Sequence, residues 1–246
     1  MKLHIDTAPV WEAYRQDCEC PLCLLYDQVE AGSVEYFLGD SVMEPSQRIE
    51  TNEKGFCGRH FKLMFEAGNR LGLALMTHTH MKQVIAKLSG NTANVEAKPL
   101  IKRILGRKSG GAALDIEASC VMCERIRGNM ERYIYTILYM YRHEKDFPAL
   151  FEASKGMCLK HYEETMRMAA EHLSGDVLQN FTKTLRKIEI ENLQRVADEL
   201  EWFTRKYDYR NQDKPWGNSR DAVERSLNKL RGHIVNDNLN PPAMLG

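Results

Sequence analysis

The fold this sequence predicts is all-α: two pseudo-repeated, zinc-stabilised helical units followed by a C-terminal helical extension. Three observations predict it. The stretch GFCGRHF at Gly55–Phe61 returns as GMCLKHY at Gly156–Tyr162. A C-x-x-C pair precedes each copy at nearly the same distance: 33 residues separate Cys23 from Cys57, and 34 separate Cys123 from Cys158. The segments between and after these motifs place apolar residues at helical intervals, and no run alternates apolar and polar residues between hairpin turns. A matched pair of spacings, each ending in Lys-Gly before the cysteine (Lys54-Gly55 and Lys155-Gly156), reads as an internal duplication.

The first unit, residues 1–90, opens on Cys20 and Cys23 within C-P-L-C and reaches Cys57 and His60. After Phe61 the apolar positions Met64, Phe65, Leu71, Leu75 and Met76 predict one helix running to about Leu88. Residues 91–117 read as a linker because of their Gly-Ser-Asn ends and Gly110-Gly111, with a short basic helix from Lys98 to Lys108 after Pro99. Its GRKSGG lacks the spacing and the preceding strand of a phosphate-binding loop.

The second unit, residues 118–173, contains RYIYTILYMY at Arg132–Tyr141. Ile134 and Leu138, like Tyr135 and Tyr139, stand four apart, so a helix buried on most sides is expected, with a tyrosine-rich contact surface as the functional alternative. A helix then runs from Tyr162 to about Leu173.

Residues 174–232 form the extension. Ser174-Gly175-Asp176 breaks the chain and offers a new N-cap. Leu178, Phe181, Leu185 and Ile188, continued by Leu193, Val196, Leu200 and Phe203, mark one amphipathic helix of roughly thirty residues. Pro215 and its polar neighbours end that stretch in a turn. Trp202 and Phe203 are expected to dock the long helix, and Trp216 to pin the turn back. Ser219 or Asp221 caps a last helix through Leu230, and residues 233–246 are a tail.

The cysteine and histidine spacing carries the chemistry. Zinc takes four soft or borderline ligands in a tetrahedron, and residues three apart face the same way on the first turn of a helix. Taken half by half, the ligands are Cys20, Cys23, Cys57 and His60 for one ion and Cys120, Cys123, Cys158 and His161 for a second. A helix following each C-x-x-H points its positive end at the site and favours thiolate. Four protein ligands leave no open position, so the sites read as structural. Three thiolates leave each zinc with one net negative charge, which Arg59, Lys62, Arg125 or Lys160 could offset. Iron also accepts thiolate-rich sites, so zinc and iron both remain open. The spacers are far longer than in the zinc finger that reads DNA, which also uses two histidines.

Composition narrows the class. The 246 residues balance 34 Lys and Arg against 34 Asp and Glu, which disfavours nucleic acid and anionic membrane surfaces as partners. No stretch is long and apolar enough to span a membrane, and His4 and Asp6 stand where a signal peptide would be apolar. A cytoplasmic location, where thiols stay reduced, follows as the expectation. Six of the seven cysteines belong to the motifs, and Cys18 is the exception, a candidate redox residue. His78 and His80 stand two apart and cannot share a metal from one helix. No nucleophile with a base, paired-carboxylate signature or cofactor fingerprint is present.

These features fit a scaffold or protein-interaction module with a protein as partner. One alternative is a redox- or metal-responsive regulator in which oxidation at Cys18, Cys20 or Cys23 releases zinc. Another is an enzyme with a pocket between the halves.

The segments PVWEAY, CPLC, VEYFLG, VMEPSQRIE and GFCGRHF resemble an uncharacterised bacterial family, a domain of unknown function with duplicated CxxC and GxCxxH motifs. So do CVMCERI, RYIYTILY, GMCLKHY and EWFTRKYDYRNQDKPWGNS. The resemblance covers nearly the whole chain. It implies a bacterial cytoplasmic protein and carries over no catalytic residue.

Overall fold

A computed structural model describes residues 4–89 and 120–234, with side chains from residue 7. These residues form ten α-helices and no strand. The linker expected at 91–117, with its basic helix, lies outside the described residues, as does the tail beyond residue 234. No helix among the described residues is long and apolar enough to cross a membrane.

The chain divides into two compact units. The first comprises Met1–Gln28 and Asn129–Gly246, and the second is Val29–Gly128. The second unit is thus inserted in the sequence of the first, and α2 (Pro21–Leu38) and α6 (Val121–His143) carry residues of both.

The first unit also contains α1 (His4–Arg15), α7 (Phe147–Glu152), α8 (Leu159–His172), α9 (Gly175–Arg205) and α10 (Ala222–Arg231). Its core is aromatic. Tyr14, Phe147, Phe151 and Phe181 are buried, with ring centroids 5.2 Å apart for Tyr14 and Phe147 and 5.3 Å apart for Phe151 and Phe181. The long helix spans 31 residues without a break, and its predicted stripe supplies Phe181, Leu185, Ile188 and Val196 to the interior. The buried positions of α6 here include Ile134, Ile137, Leu138 and Met140, while Tyr133, Tyr135, Tyr139 and Tyr141 are half-buried.

After α9 the turn is pinned as expected. The Trp202 indole donates to Pro215 O at 3.1 Å, and the Phe203 and Trp216 rings lie 5.7 Å apart. A buried lysine does as much. Lys206 Nζ donates to the carbonyls of Asn211, Gln212 and Lys214 at 2.6–2.7 Å. Asp221 stands at the N-cap of α10 but accepts from the Arg225 guanidinium instead of a backbone N–H.

The second unit contains α3 (Pro45–Lys54), α4 (Gly58–Glu66) and α5 (Arg70–Leu88). The single helix expected from Phe61 to Leu88 is two helices. Gly68 adopts φ +87°, a conformation that side chains with a Cβ resist, and this breaks the helix. Asn69 then caps α5 by accepting from Gly72 N at 3.0 Å, while its amide donates to Leu38 O at 2.7 Å. Phe37, Phe56, Met64 and Met76 fill the core, and Arg48 ties α3 to α5 through Leu75 O and Thr79 Oγ1.

Both halves of the sequence present the same order of elements. A helix begins at each C-x-x-C (α2, α6), and a shorter helix with proline in its first turn follows (α3, α7). Then comes a glycine of positive φ, a helix opening on the C-x-x-H (α4, α8) and a long helix (α5, α9).

Candidate metal centres

All eight predicted ligands converge in two groups of four, each within one compact unit. Cys20, Cys23, Cys158 and His161 form centre 1 in the first unit, and Cys57, His60, Cys120 and Cys123 form centre 2 in the second. The half-by-half pairing is therefore corrected: each C-x-x-C meets the C-x-x-H of the other half. Contacts between segments far apart in sequence accompany the exchange. Val121 N at the start of α6 donates to Gly55 O at 3.1 Å, and Lys54 pairs with Glu124 at 2.5 Å, which sets the first C-x-x-H beside the second C-x-x-C. In the first unit Asp17 pairs with Lys155, which joins the segment before Cys20 to the segment before Cys158.

Local structure aims the ligands. Cys57 (φ −71°, ψ 165°) and Cys158 (φ −73°, ψ 156°) are extended N-cap residues, so each C-x-x-H occupies the first turn of a helix. The backbone N–H groups at those ends carry partial positive charge toward the sulfurs. Gly156 (φ +80°) makes the turn into α8, and a Cβ there would lie 2.6 Å from Glu189 Oε2.

The distances match a metal tetrahedron. Zinc bonds of about 2.3 Å to sulfur and about 2.0 Å to nitrogen imply edges of about 3.8 Å between sulfurs and about 3.5 Å from sulfur to nitrogen. At centre 1 Cys23 Sγ lies 3.7 Å from Cys158 Sγ, and His161 Nδ1 lies 3.4, 3.5 and 3.3 Å from the sulfurs of Cys20, Cys23 and Cys158. At centre 2 Cys57 and Cys123 are 3.8 Å apart, and His60 Nδ1 lies 3.2, 3.2 and 3.4 Å from Cys57, Cys120 and Cys123. No pair is near the ~2.05 Å of a disulfide, and all seven cysteines are free thiols. The donor set in each group, three sulfurs and one imidazole nitrogen, fits a four-coordinate metal.

The thiols of each group already differ. At centre 2 burial raises Cys120, but the hydrogen bond with His60 and the N–H groups of Cys123 and Cys57 outweigh it and bring the thiol down to about 6. Burial favours neutral His60, yet its bonds to Cys120 and Glu30 push it up to about 10. Burial and the neighbouring Cys120 push Cys123 up to about 12. At centre 1 hydrogen bonds from Cys20 and Cys23 hold Cys158 far below the usual thiol range. Metal binding needs thiolates and a neutral imidazole, so metal entry at either group releases the protons its ligands hold.

Two supporting residues escaped the motif search. Glu30 Oε1 lies 3.2 Å from His60 Nε2, and Glu30 Oε2 accepts from Arg59 at 2.8 Å. It orients the ring so that Nδ1 faces the sulfurs. Its one signal is an acid on the buried stripe of α2 that includes Ser33 and Phe37. Glu30→Ala is expected to weaken metal binding at centre 2 by about 10- to 100-fold and leave centre 1 unchanged. A competition titration against a chromogenic chelator reads this, and an unchanged affinity removes the orienting role.

Lys229 is the second. It is 1% exposed and donates to the carbonyls of Lys155 and Met157, the latter at 3.1 Å. Its Nζ also lies 3.8 Å from Glu189 and 3.9 Å from Glu19. α10 thus buries Arg225, Asn228 and Lys229 and exposes Leu227 and Leu230, the reverse of an ordinary amphipathic helix. The reason is the acidic interior it meets. Glu19 accepts from Arg195 at 2.6 and 2.8 Å, and Arg225 pairs with Glu199.

The remaining sequence candidates are placed as follows. Cys18 is outside both groups, half-buried, and burial pushes its thiol up to about 11. It lines a cavity of about 700 Å³ in the first unit, with Glu19, Cys20, Cys23, Arg195 and Arg225. His80 donates through Nδ1 to Asn52 O at 2.8 Å, and His78 is exposed. Of the four basic residues weighed as charge partners, Arg59 bonds Glu30, Lys62 lies 3.8 Å from Glu66, and Arg125 and Lys160 stack over Tyr36 and Tyr26.

The profile of a family described as a family of unknown function (DUF6062) matches residues 1–237. No curated protein and no solved structure matches the chain.

Proposed function

The chain belongs to this family of unknown function, DUF6062, and we propose that it is a zinc-binding helical protein with two structural metal centres, serving as a cytoplasmic scaffold or protein-interaction module. The observation that carries the reading is the fit of both four-ligand groups to a metal tetrahedron that protein atoms fill completely. A metal so enclosed ties helix ends together and leaves no position for substrate or water. Zinc suits such a set because it has no redox chemistry and no geometric preference of its own. The common order of elements in the two halves supports an internal duplication.

The interaction reading draws on α5. Leu71, Leu75, Met81, Ile85 and Leu88 are all exposed along this helix, an apolar surface of the kind that marks protein contacts. The partner is a protein. A cytoplasmic location agrees with seven free thiols.

Elemental mass spectrometry of freshly purified, reduced protein tests the reading. Two zinc ions per chain are expected, with loss of helical signal and a lowered melting temperature after chelation. Iron in the purified chain, or less than one metal per chain, overturns it.

A further inference from the structure

We propose that centre 2 is a peroxide-sensitive modification site, at which Cys57 and Cys123 close to a disulfide and expel the metal while centre 1 keeps its own. The inference rests on the metal reading above and adds regulation to one of its two centres.

The two groups share a donor set but differ in access. At centre 1 every ligand is buried: Cys20 is 6% exposed, Cys23 7%, Cys158 0% and His161 3%. At centre 2 Cys120 and His60 are buried, whereas Cys57 and Cys123 are only half-buried. The two accessible sulfurs of centre 2 are also neighbours, 3.8 Å apart. They lie at the first turns of α4 and α6, which the Val121–Gly55 backbone bond holds together. Closing to a bond of about 2.05 Å brings the sulfurs under about 2 Å nearer to each other. Cys120 Sγ, by contrast, accepts from Cys123 N at 3.4 Å and faces inward.

The same comparison moves oxidation away from the N-terminal cysteines. Cys20 and Cys23 border the cavity beside Cys18 but are only 6% and 7% exposed, and Cys18 has no place in either group. Only four cysteines other than these exist, and three of them belong to centre 2.

The chemistry balances with a peroxide as oxidant. One accessible thiolate attacks a peroxide oxygen, the O–O bond breaks, and the departing oxygen takes a proton and leaves as water. The sulfenic acid so formed is attacked by the second thiolate. The S–S bond forms, the S–O bond breaks, and the hydroxide leaves as a second water after protonation. Two cysteine sulfurs lose two electrons in total and the peroxide gains them. Cys120 and His60 then remain as two ligands, half of a zinc coordination set, and the ion departs.

The experiment uses the full chain, with metal content measured before oxidation. Hydrogen peroxide is added at a few equivalents, metal release is followed with a chromogenic chelator, and the linked cysteines are identified by peptide mass spectrometry. The expected result is release of one metal per chain, a Cys57–Cys123 link, and recovery with dithiothreitol and added zinc. Cys18→Ser is expected to behave as the parent. Release of both metals together, release of neither, a link involving Cys18, Cys20 or Cys23, or loss of the response in Cys18→Ser overturns the inference. A chain holding two zinc ions that fails these tests refutes the switch alone. A chain without metal before peroxide refutes the metal reading and the switch with it.

Discussion

A chain carrying Cys20→Ser and Cys158→Ser is expected to keep one of the two proposed metals, whereas a chain carrying Cys20→Ser and Cys57→Ser is expected to lose both. The first pair removes two ligands from centre 1 and none from centre 2, and the second pair removes one ligand from each. A tetrahedral set stripped of a thiolate loses its most strongly held donor type, and binding free energies of about 10–16 kcal/mol fall sharply with each ligand lost. Dialysis against a competing chelator followed by elemental analysis reads the difference directly. Pairing within each half of the sequence reverses both results, so the two variants decide between the arrangements without a new structure. One metal in the Cys20, Cys57 variant and none in the Cys20, Cys158 variant would return the ligands to their own halves.

Replacing Lys229 by methionine is expected to destabilise the first unit by about 3–5 kcal/mol, the usual consequence of removing one member of a buried charge cluster. Lys229 supplies Lys155 O and Met157 O with a donor and stands between Glu19 and Glu189. Glu189 has one oxygen bonded to Met157 N at 2.8 Å, and burial already pushes its carboxyl upward. Methionine fills the space but leaves the carboxylates facing an apolar side chain. Urea unfolding of the metal-loaded protein measures the change. The companion variant Lys229→Met with Glu189→Gln is expected to regain part of the loss, because it removes an acid that the lysine offsets. A loss under 1 kcal/mol, or no recovery in the double variant, shows that the buried ammonium does not hold this region.

Much of the fold was legible. The period of Leu178, Phe181, Leu185 and Ile188 announced α9, and Ser174-Gly175-Asp176 placed its start within a residue or two. The eight clustered cysteines and histidines were legible because C-x-x-C and C-x-x-H fix side chains on a helical turn whatever the rest of the chain does. Their partnership was not. Two C-x-x-C pairs and two C-x-x-H pairs admit two assignments, and nothing local distinguishes them. The choice is made by contacts between residues far apart in sequence, such as Val121 N to Gly55 O. The break at Gly68-Asn69 was visible as a glycine beside a capping residue, but the apolar period continuing through Leu71 and Leu75 masked it. Lys229 was least legible of all. Helical patterning places leucine inside and lysine outside, and α10 inverts that rule because the surface it covers is lined with glutamates.

The insertion of the second unit within the first also orders events on the ribosome. Cys20 and Cys23 are among the first ligands synthesised, yet their partners Cys158 and His161 are the last. Every ligand of centre 2 is translated between them. In a nascent chain every residue of centre 2 is therefore available while two early thiols still wait for α8. The earliest cysteines are thus the last to gain their partners, so a chain truncated before α8 would hold one complete four-residue group and one open pair of thiols.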